Sequence, residues 1–501
     1  MFDKLTPPVI LAIMLGYFLM LIAVSYFTSR NKSSNLNFFL AGRQAPWPLV
    51  AFGMIGSTIS GITFISVPGA VGGTGANEAF SYFQVVLGYM LGYVVIAFVL
   101  LPLYYRLHLT SIYGYLEQRF GFFSYKTGAA YFLLSRSIGS ALRLYLVAVV
   151  IYNFVLKPMG VPFELTVFFT LALIWAYTFK GGLKTIIVTD ALQTAFLLGA
   201  VVMTVLFISQ SLDLGLGGMM DMVANSKYSK IFYFEGGWSD PNNFFKQFFS
   251  GALITITMTG LDQDMMQKNL SCRSLGDAQK NMLSFSTVLI VVNLLFLTLG
   301  ALLYIYASSF GVEVPTKTDQ FYPMIALEHL SPIVGILFIL GLTAAAYSSA
   351  DSAMAALTTS FCVDFLNFEK KTDLVPEENL RRTRIIVHLG VSVVLFVMIL
   401  VFEAMNDQAV ITKLFQIAGY TYGPLLGLFV FGMTTRLKVR DGLVIVVCIL
   451  APILTFVLDT YSAEILAGFK FGFLTIALNG LLTYLGLLAI SYWDTEVTVK
   501  E

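Results

Sequence analysis

Ser348, Ser349, Asp351 and Ser352 fall together inside one otherwise apolar run from Thr343 to Phe361. Hydroxyls and a carboxylate are costly in hydrocarbon, so they normally face a cavity or a partner, and an intramembrane aspartate is by default a functional-site residue. Clusters built of oxygen alone suit hard cations, and sodium is the natural one for a chain with three His and three Cys. Small residues and serines also let membrane helices approach closely. Ala344 to Ala346 and any single serine are open to that packing role, whereas Asp351 is harder to explain that way.

Two further stretches carry polar groups at membrane depth. Between Gly53 and Phe64, Gly56 and Gly61 bracket Ser57, Thr58 and Ser60, a pattern that predicts a helix broken midway with its carbonyls released. Unwound backbone is tolerated in a membrane where it lines a cavity, and broken helices mark binding sites in transporters with inverted repeats. The span around Gly251 to Gly260, with Thr255, Thr257 and Thr259, shows the same character. Arg136 and Arg143 stand in the central stretch of another span; with Ser140 between them, all three share one helical face. An arginine fork there holds a carboxylate with two parallel hydrogen bonds, or its long stem snorkels to the interface.

The elements that position these residues are membrane helices. Of the 501 residues, 57% are hydrophobic and 12% charged, and the mean hydropathy is +0.80, against about 25% charged in soluble domains. Apolar runs of about 20 residues, each enough to cross about 30 Å of hydrocarbon as helix, recur from end to end. Alternating β-barrel segments are absent from the pattern. Thirteen spans are expected, approximately 7–28, 47–72, 78–105, 125–156, 161–179, 186–210, 244–265, 282–308, 331–365, 383–403, 408–434, 441–460 and 471–492.

With the N-terminus outside, alternate loops collect most of the basic residues, among them Arg30, Lys32, Arg43, Arg119, Lys268 and Arg384. This positive-inside asymmetry puts the C-terminus in the cytoplasm. The net charge of +1 gives no reason to expect nucleic acid as a partner. The apolar stretch from Pro7 to Phe27 lacks a small-residue cleavage site and reads as a retained first helix. The scattered His and Cys supply no nucleophile, base or metal constellation, which argues against an intramembrane enzyme.

Five motifs then carry a resemblance: FLAGR at 39–43, TSIYGYLEQRFG at 110–121, YTFKGGLKTIIVTDALQ at 177–193, QDMMQK at 263–268 and GPLLGLF at 423–429. Together they are specific, and the chain resembles the sodium/solute symporters, a family that includes sodium/galactose and bacterial sialic acid transporters. The resemblance implies an all-α integral membrane protein with a LeuT-like five-plus-five inverted repeat, one preceding helix and two following ones. On that reading residues 1–46 hold the first helix and a loop, 47–434 the core in halves of about 47–210 and 244–434, and 435–501 the last two helices and a short tail.

For the main sodium site, the resemblance implies the carbonyls of Gly56, Ile59 and Ala345 with the hydroxyls of Ser348 and Ser349. A second site in some members matches Asp190, Ser348, Asp351 and Ser352, although the position of Asp351 is a serine in the sialic acid transporter. That extra carboxylate would bind a second sodium, titrate a proton or pair with another buried group. For the solute, the resemblance offers Thr58, Ser60, Thr63 and Gln84. The arginine that clamps the sialate carboxylate aligns with Ser140; Arg136 and Arg143 lie four before and three after it, and Arg143, the deeper of the two, is the better candidate to hold the anion. The residues that bind sugar hydroxyls in the sodium/galactose protein align near Thr63 and Phe83, so sugar recognition is not implied.

The expected function is a plasma-membrane symporter, working as a monomer in the lipid bilayer, that uses one or two sodium ions to import a small polar, carboxylate-bearing solute. A neutral sugar or polyol, an inorganic anion, or proton coupling are the alternatives.

Overall fold

The computed structural model describes residues 6–28, 35–371, 374–405 and 410–493; Arg30 and Lys32 lie outside them. The principal helices are α1 (Pro7–Thr28), α2 (Trp47–Thr58), α3 (Gly61–Ala70), α4 (Tyr82–Val95), α5 (Phe122–Ile151), α6 (Phe163–Ser211), α7 (Phe244–Thr255), the short polar α8 (Gln263–Leu270), α9 (Leu275–Phe310), α10 (Pro332–Ser360), α11 (Glu377–Met405), α12 (Val410–Thr434), α13 (Asp441–Thr460) and α14 (Thr475–Ala489). Among the described residues, ten helical segments are long and apolar enough to cross a membrane, and the bent pair α2 and α3 makes an eleventh. The spans expected at 161–179 and 244–265 are present as helix but shorter. The first is the apolar segment Phe163–Phe179, which continues through Gly182 (φ 54°, ψ −152°) into Gly182–Ser211.

The two predicted interruptions have different local causes. Pro46 and Pro48 open α2, where a missing N–H costs nothing. At its other end Ile59 adopts φ −80°, ψ 79°, and the Ser60 N–H donates to Thr58 O at 3.0 Å. That is an inverse γ-turn. It takes the Ser60 donor away from Gly56 O, and α3 then leaves at a 56° bend. After α7, residues Ile256–Gly260 form a π-turn and the chain turns at Leu261 (φ −106°, ψ 14°). The Asp262 carboxylate then accepts from the Asp264 N–H at 2.9 Å and caps α8.

Packing among these helices depends on small residues where backbones meet. A Cβ on Gly88 of α4 would strike the Phe248 carbonyl, and one on Gly251 of α7 would strike the Val85 carbonyl, so α4 and α7 lie against each other at two reciprocal points. The α10 run of small residues is buried against α6. At one end of the bundle, Arg119 donates to the carbonyls of Gly432 (3.1 Å) in the last turn of α12 and of Thr435 (2.8 Å) and Leu437 (2.9 Å) just beyond it. Asp441, at the start of α13, accepts from Phe123 N and Ser124 N, both at 2.8 Å, and from Ser124 Oγ at 2.5 Å, which caps α5.

Two cations expected in loops are instead inside the protein. Arg384 is 1% exposed, its guanidinium stacked 4.1 Å over the Phe38 ring. Lys268 is also 1% exposed, and a carboxylate explains why. Replacing Gly88 by Val is expected to force α4 from α7 and destabilise the detergent-solubilised protein by about 1–3 kcal/mol, the usual cost of overpacking. Gly199→Ala, with nothing within 4 Å of the new methyl, should leave the thermal unfolding midpoint unchanged.

Candidate ion and solute site

The break at Ile59 sits against α6. Gly53 and Gly56 face that helix, and a Cβ on Gly56 would collide with Thr194 Oγ1. The Thr194 hydroxyl accepts the Gly56 N–H at 3.0 Å and lies 3.0 Å from Phe52 O and 2.8 Å from Asp190 O. Thr194 therefore serves the last turn of α2 with donor and acceptor capacity that the helix itself cannot supply.

One turn before Thr194 stands Asp190, fully buried. Its Oδ1 accepts from Ser348 Oγ at 2.7 Å, and its Oδ2 accepts from Lys268 Nζ at 2.7 Å and Ser352 Oγ at 3.3 Å. Lys268 Nζ also donates to Ser57 Oγ at 2.7 Å. A continuous polar chain thus runs from the broken helix through α8 and α6 to α10. Because Ser348 donates its proton to Asp190, its lone pairs stay free for a cation. Ser349 Oγ donates to Ala346 O at 3.0 Å within its own helix, and Ala345 is buried beside it.

Asp351 does not join this group directly. Its Oδ2 accepts from Tyr177 OH at 2.9 Å, and its Oδ1 has no hydrogen-bond partner. Of the four residues matched to a second cation site, Ser348 and Ser352 converge on the Asp190 carboxylate and Asp351 faces a tyrosine. Asp190 has the Lys268 ammonium as its counter-charge, at 2.7 Å.

Beyond the break lies a cavity of roughly 90 Å³. The two half-helices line it with Ser57, Thr58, Ile59, Ser60 and Thr63, α5 with Arg136 and Arg143, and α7 and its π-turn with Thr255 and Thr259. On a further wall α4 sets Tyr82, Tyr89 and Tyr93 in line, with the first two hydroxyls 3.0 Å apart. The Thr58 hydroxyl is buried and has no partner.

The two arginines differ in what holds them. Arg136 contacts Asp264 directly and reaches Asp262 at 3.9 Å; Asp262 in turn accepts from Tyr422 OH at 2.6 Å. Its charge is answered within the protein. Arg143 has no carboxylate within salt-bridge distance among the described residues, and its Nε is buried without a partner.

Gln84 and Ser140 are not on the cavity wall. The Gln84 amide donates to Asn242 O at 2.8 Å and accepts from Tyr233 N at 3.1 Å, so it fastens the loop before α7. Ser140 is buried with its hydroxyl unpaired. Lys268, Thr194 and the tyrosine row are the residues that reading the sequence missed. The Tyr82 and Tyr89 pair, seven residues apart on one helix face, was the available signal. Cys272 offers no nucleophile, as burial pushes its thiol up to about 12.

Comparison with known proteins adds the following. The model of the sodium:solute symporter family matches residues 38–471. The sodium/sialic acid symporter of Aliivibrio fischeri is 26% identical over 443 residues, 86% of this chain and 83% of that protein. That of Proteus mirabilis is 24% identical over 436 residues, 85% and 84% respectively. Among solved structures, a substrate-bound, outward-open sodium-coupled sialic acid symporter superposes with a TM-score of 0.80 at 20% identity, covering 96% of this chain and 97% of its own.

Removing one partner of a buried ion pair strands the other, at a cost of about 3–5 kcal/mol. Arg136→Gln is therefore expected to lower the unfolding midpoint sharply, and Arg136→Gln with Asp264→Asn to recover part of it. A thermal-melt double-mutant cycle on purified protein measures this, and additive losses would separate the two groups energetically.

Proposed function

This chain belongs to the sodium:solute symporter family, and from that membership we propose that it imports a small polar, carboxylate-bearing solute across a plasma membrane, working as a monomer. The observation that carries the choice of solute is Arg143, a cation on the cavity wall with no acid within salt-bridge distance among the described residues. A planar guanidinium holds a carboxylate through two parallel hydrogen bonds. Thr58, Ser60 and Thr63 would take the solute's other polar groups, with the α4 tyrosines opposite. Arg136 would act on the solute only through the field it shares with Asp262 and Asp264.

The driving ion would bind between the broken helix and α10, at the carbonyls of Gly56, Ile59 and Ala345 and the hydroxyls of Ser348 and Ser349. The inverse γ-turn supports this, because it frees Gly56 O from its helical donor. So does Asp190, which orients the Ser348 hydroxyl. Coupling requires that sodium bind the outward- and inward-open states unequally, since a ligand shifts an equilibrium only by its differential affinity. A site bridging two helices that separate during the cycle has that property. The basic residues of the loops support an outside N-terminus and a cytoplasmic C-terminus.

The hydroxyls along the cavity favour a neutral polyol as the second reading. Counterflow of labelled monocarboxylates, sugar acids and polyols in proteoliposomes, with sodium or choline, separates the two. Ser349→Ala is expected to raise the sodium half-saturation of uptake about tenfold at matched surface expression, on the scale of one lost charge-assisted contact. An unchanged half-saturation would remove Ser349 from the site. Arg143→Lys keeps the charge and loses the fork, so uptake of a carboxylate should fall by about 10-fold or more. If a polyol is the transported solute and Arg143→Lys is harmless, the anionic reading fails and the sodium reading stands.

A further inference from the structure

The lysine on α8 changes what the Asp190 cluster can do. Its ammonium lies 2.7 Å from both Asp190 Oδ2 and Ser57 Oγ, while Ser348 and Ser352 complete the shell around the carboxylate. All five residues are at most 2% exposed. A carboxylate surrounded by serine hydroxyls is a donor set for a monovalent cation, and here a cation belonging to the chain already stands in it. A second mobile ion on Asp190 would be placed against that ammonium in a site with little water, where like charges repel strongly. Asp351, the other acid nearby, takes its hydrogen bond from Tyr177 instead.

We propose that the Lys268 ammonium is a tethered cation that fills the position between Asp190 and Ser57, against the carboxylate to which Ser348 and Ser352 also donate. That position then contributes no mobile ion to transport, and residue 268 sets how many sodium ions the protein takes. This rests on the sodium-symport reading above and deepens it. The position has a second use. Because the tethered charge touches the broken helix through Ser57 and α6 through Asp190, it holds these elements together without needing an ion from solution. A mobile sodium there would make the same link dependent on sodium concentration.

The test uses radiolabelled sodium alone, bound to purified full-length protein in a scintillation proximity assay with choline balancing ionic strength. Lys268→Gln removes the tethered charge and keeps Asp190, and it is expected to bind one more sodium ion per chain than the unaltered protein. Lys268→Arg keeps a tethered charge beside Asp190 and should bind the unaltered number. The proposal is overturned if Lys268→Gln binds no additional ion, or if Lys268→Arg gains one as well. Should Lys268→Gln fail to fold, Lys268→Ser, which also removes the charge and keeps Asp190, is counted in its place with the same two outcomes. Absence of sodium binding in the unaltered protein would sink the symport reading and this proposal with it. Sodium binding with the wrong counts would sink only the assignment of Lys268.

Discussion

A helix interrupted inside a membrane protein leaves backbone donors and acceptors with no water to satisfy them, and each must find another partner. The inverse γ-turn at Ile59 creates that demand, and much of the surrounding structure answers it. Gly53 and Gly56 have no side chain, so α6 comes close enough for Thr194 to take the Gly56 N–H. Gly61 plays the same part for α3, since a Cβ there would strike Val147 of α5. Ser57 is held by Lys268. What is left over is a small set of carbonyls and hydroxyls, including an unpartnered Thr58, on the wall of one cavity.

Buried charges tell a parallel story. Removing an ion from water costs several kcal/mol, and a protein recovers this only with a close partner and further hydrogen bonds. Arg136 has Asp264 and Asp262, and Lys268 has Asp190 and Ser57. Arg143 and Asp351 are held differently. Arg143 lines the cavity with no acid within salt-bridge distance among the described residues, and Asp351 keeps one oxygen without a partner beside Tyr177. They lie on different helices, α5 and α10, and mark the places where an external charge would cost least to admit.

Much of the fold was legible because membrane spans announce themselves by length and apolarity, and because Gly and hydroxyl residues at 53–64 broke that pattern. The kink at Gly182 was legible as a gap between two spans. The site was legible in part. Thr58, Ser60, Thr63, Arg136 and Arg143 were expected near one another and line a single cavity. Lys268 was not legible, because a lysine shortly before the polar run at Ser271 to Ser274 looks like any loop cation. Its burial follows from Asp190, 78 residues away in sequence. Gln84 was misplaced for the same reason: its partners, Asn242 and Tyr233, come from a distant loop that no local pattern connects to α4. Arg136 and Arg143 share one helical face, and while depth in the span already favoured Arg143, only Asp262 and Asp264 show that Arg136 is paired within the protein.

The contacts at the ends of α5, α12 and α13 bear on movement. Arg119 and Asp441 together make six hydrogen bonds there, one group closing the end of α12 and the other the start of α5. Charged groups at helix ends also gain from the backbone dipole. Three of the six belong to the start of α5 and three to the segment just before it, so this stretch of chain is fastened to the end of α12 and the start of α13 as one corner of the bundle. Any movement between these helices that kept the corner intact would have its largest excursion at their opposite ends.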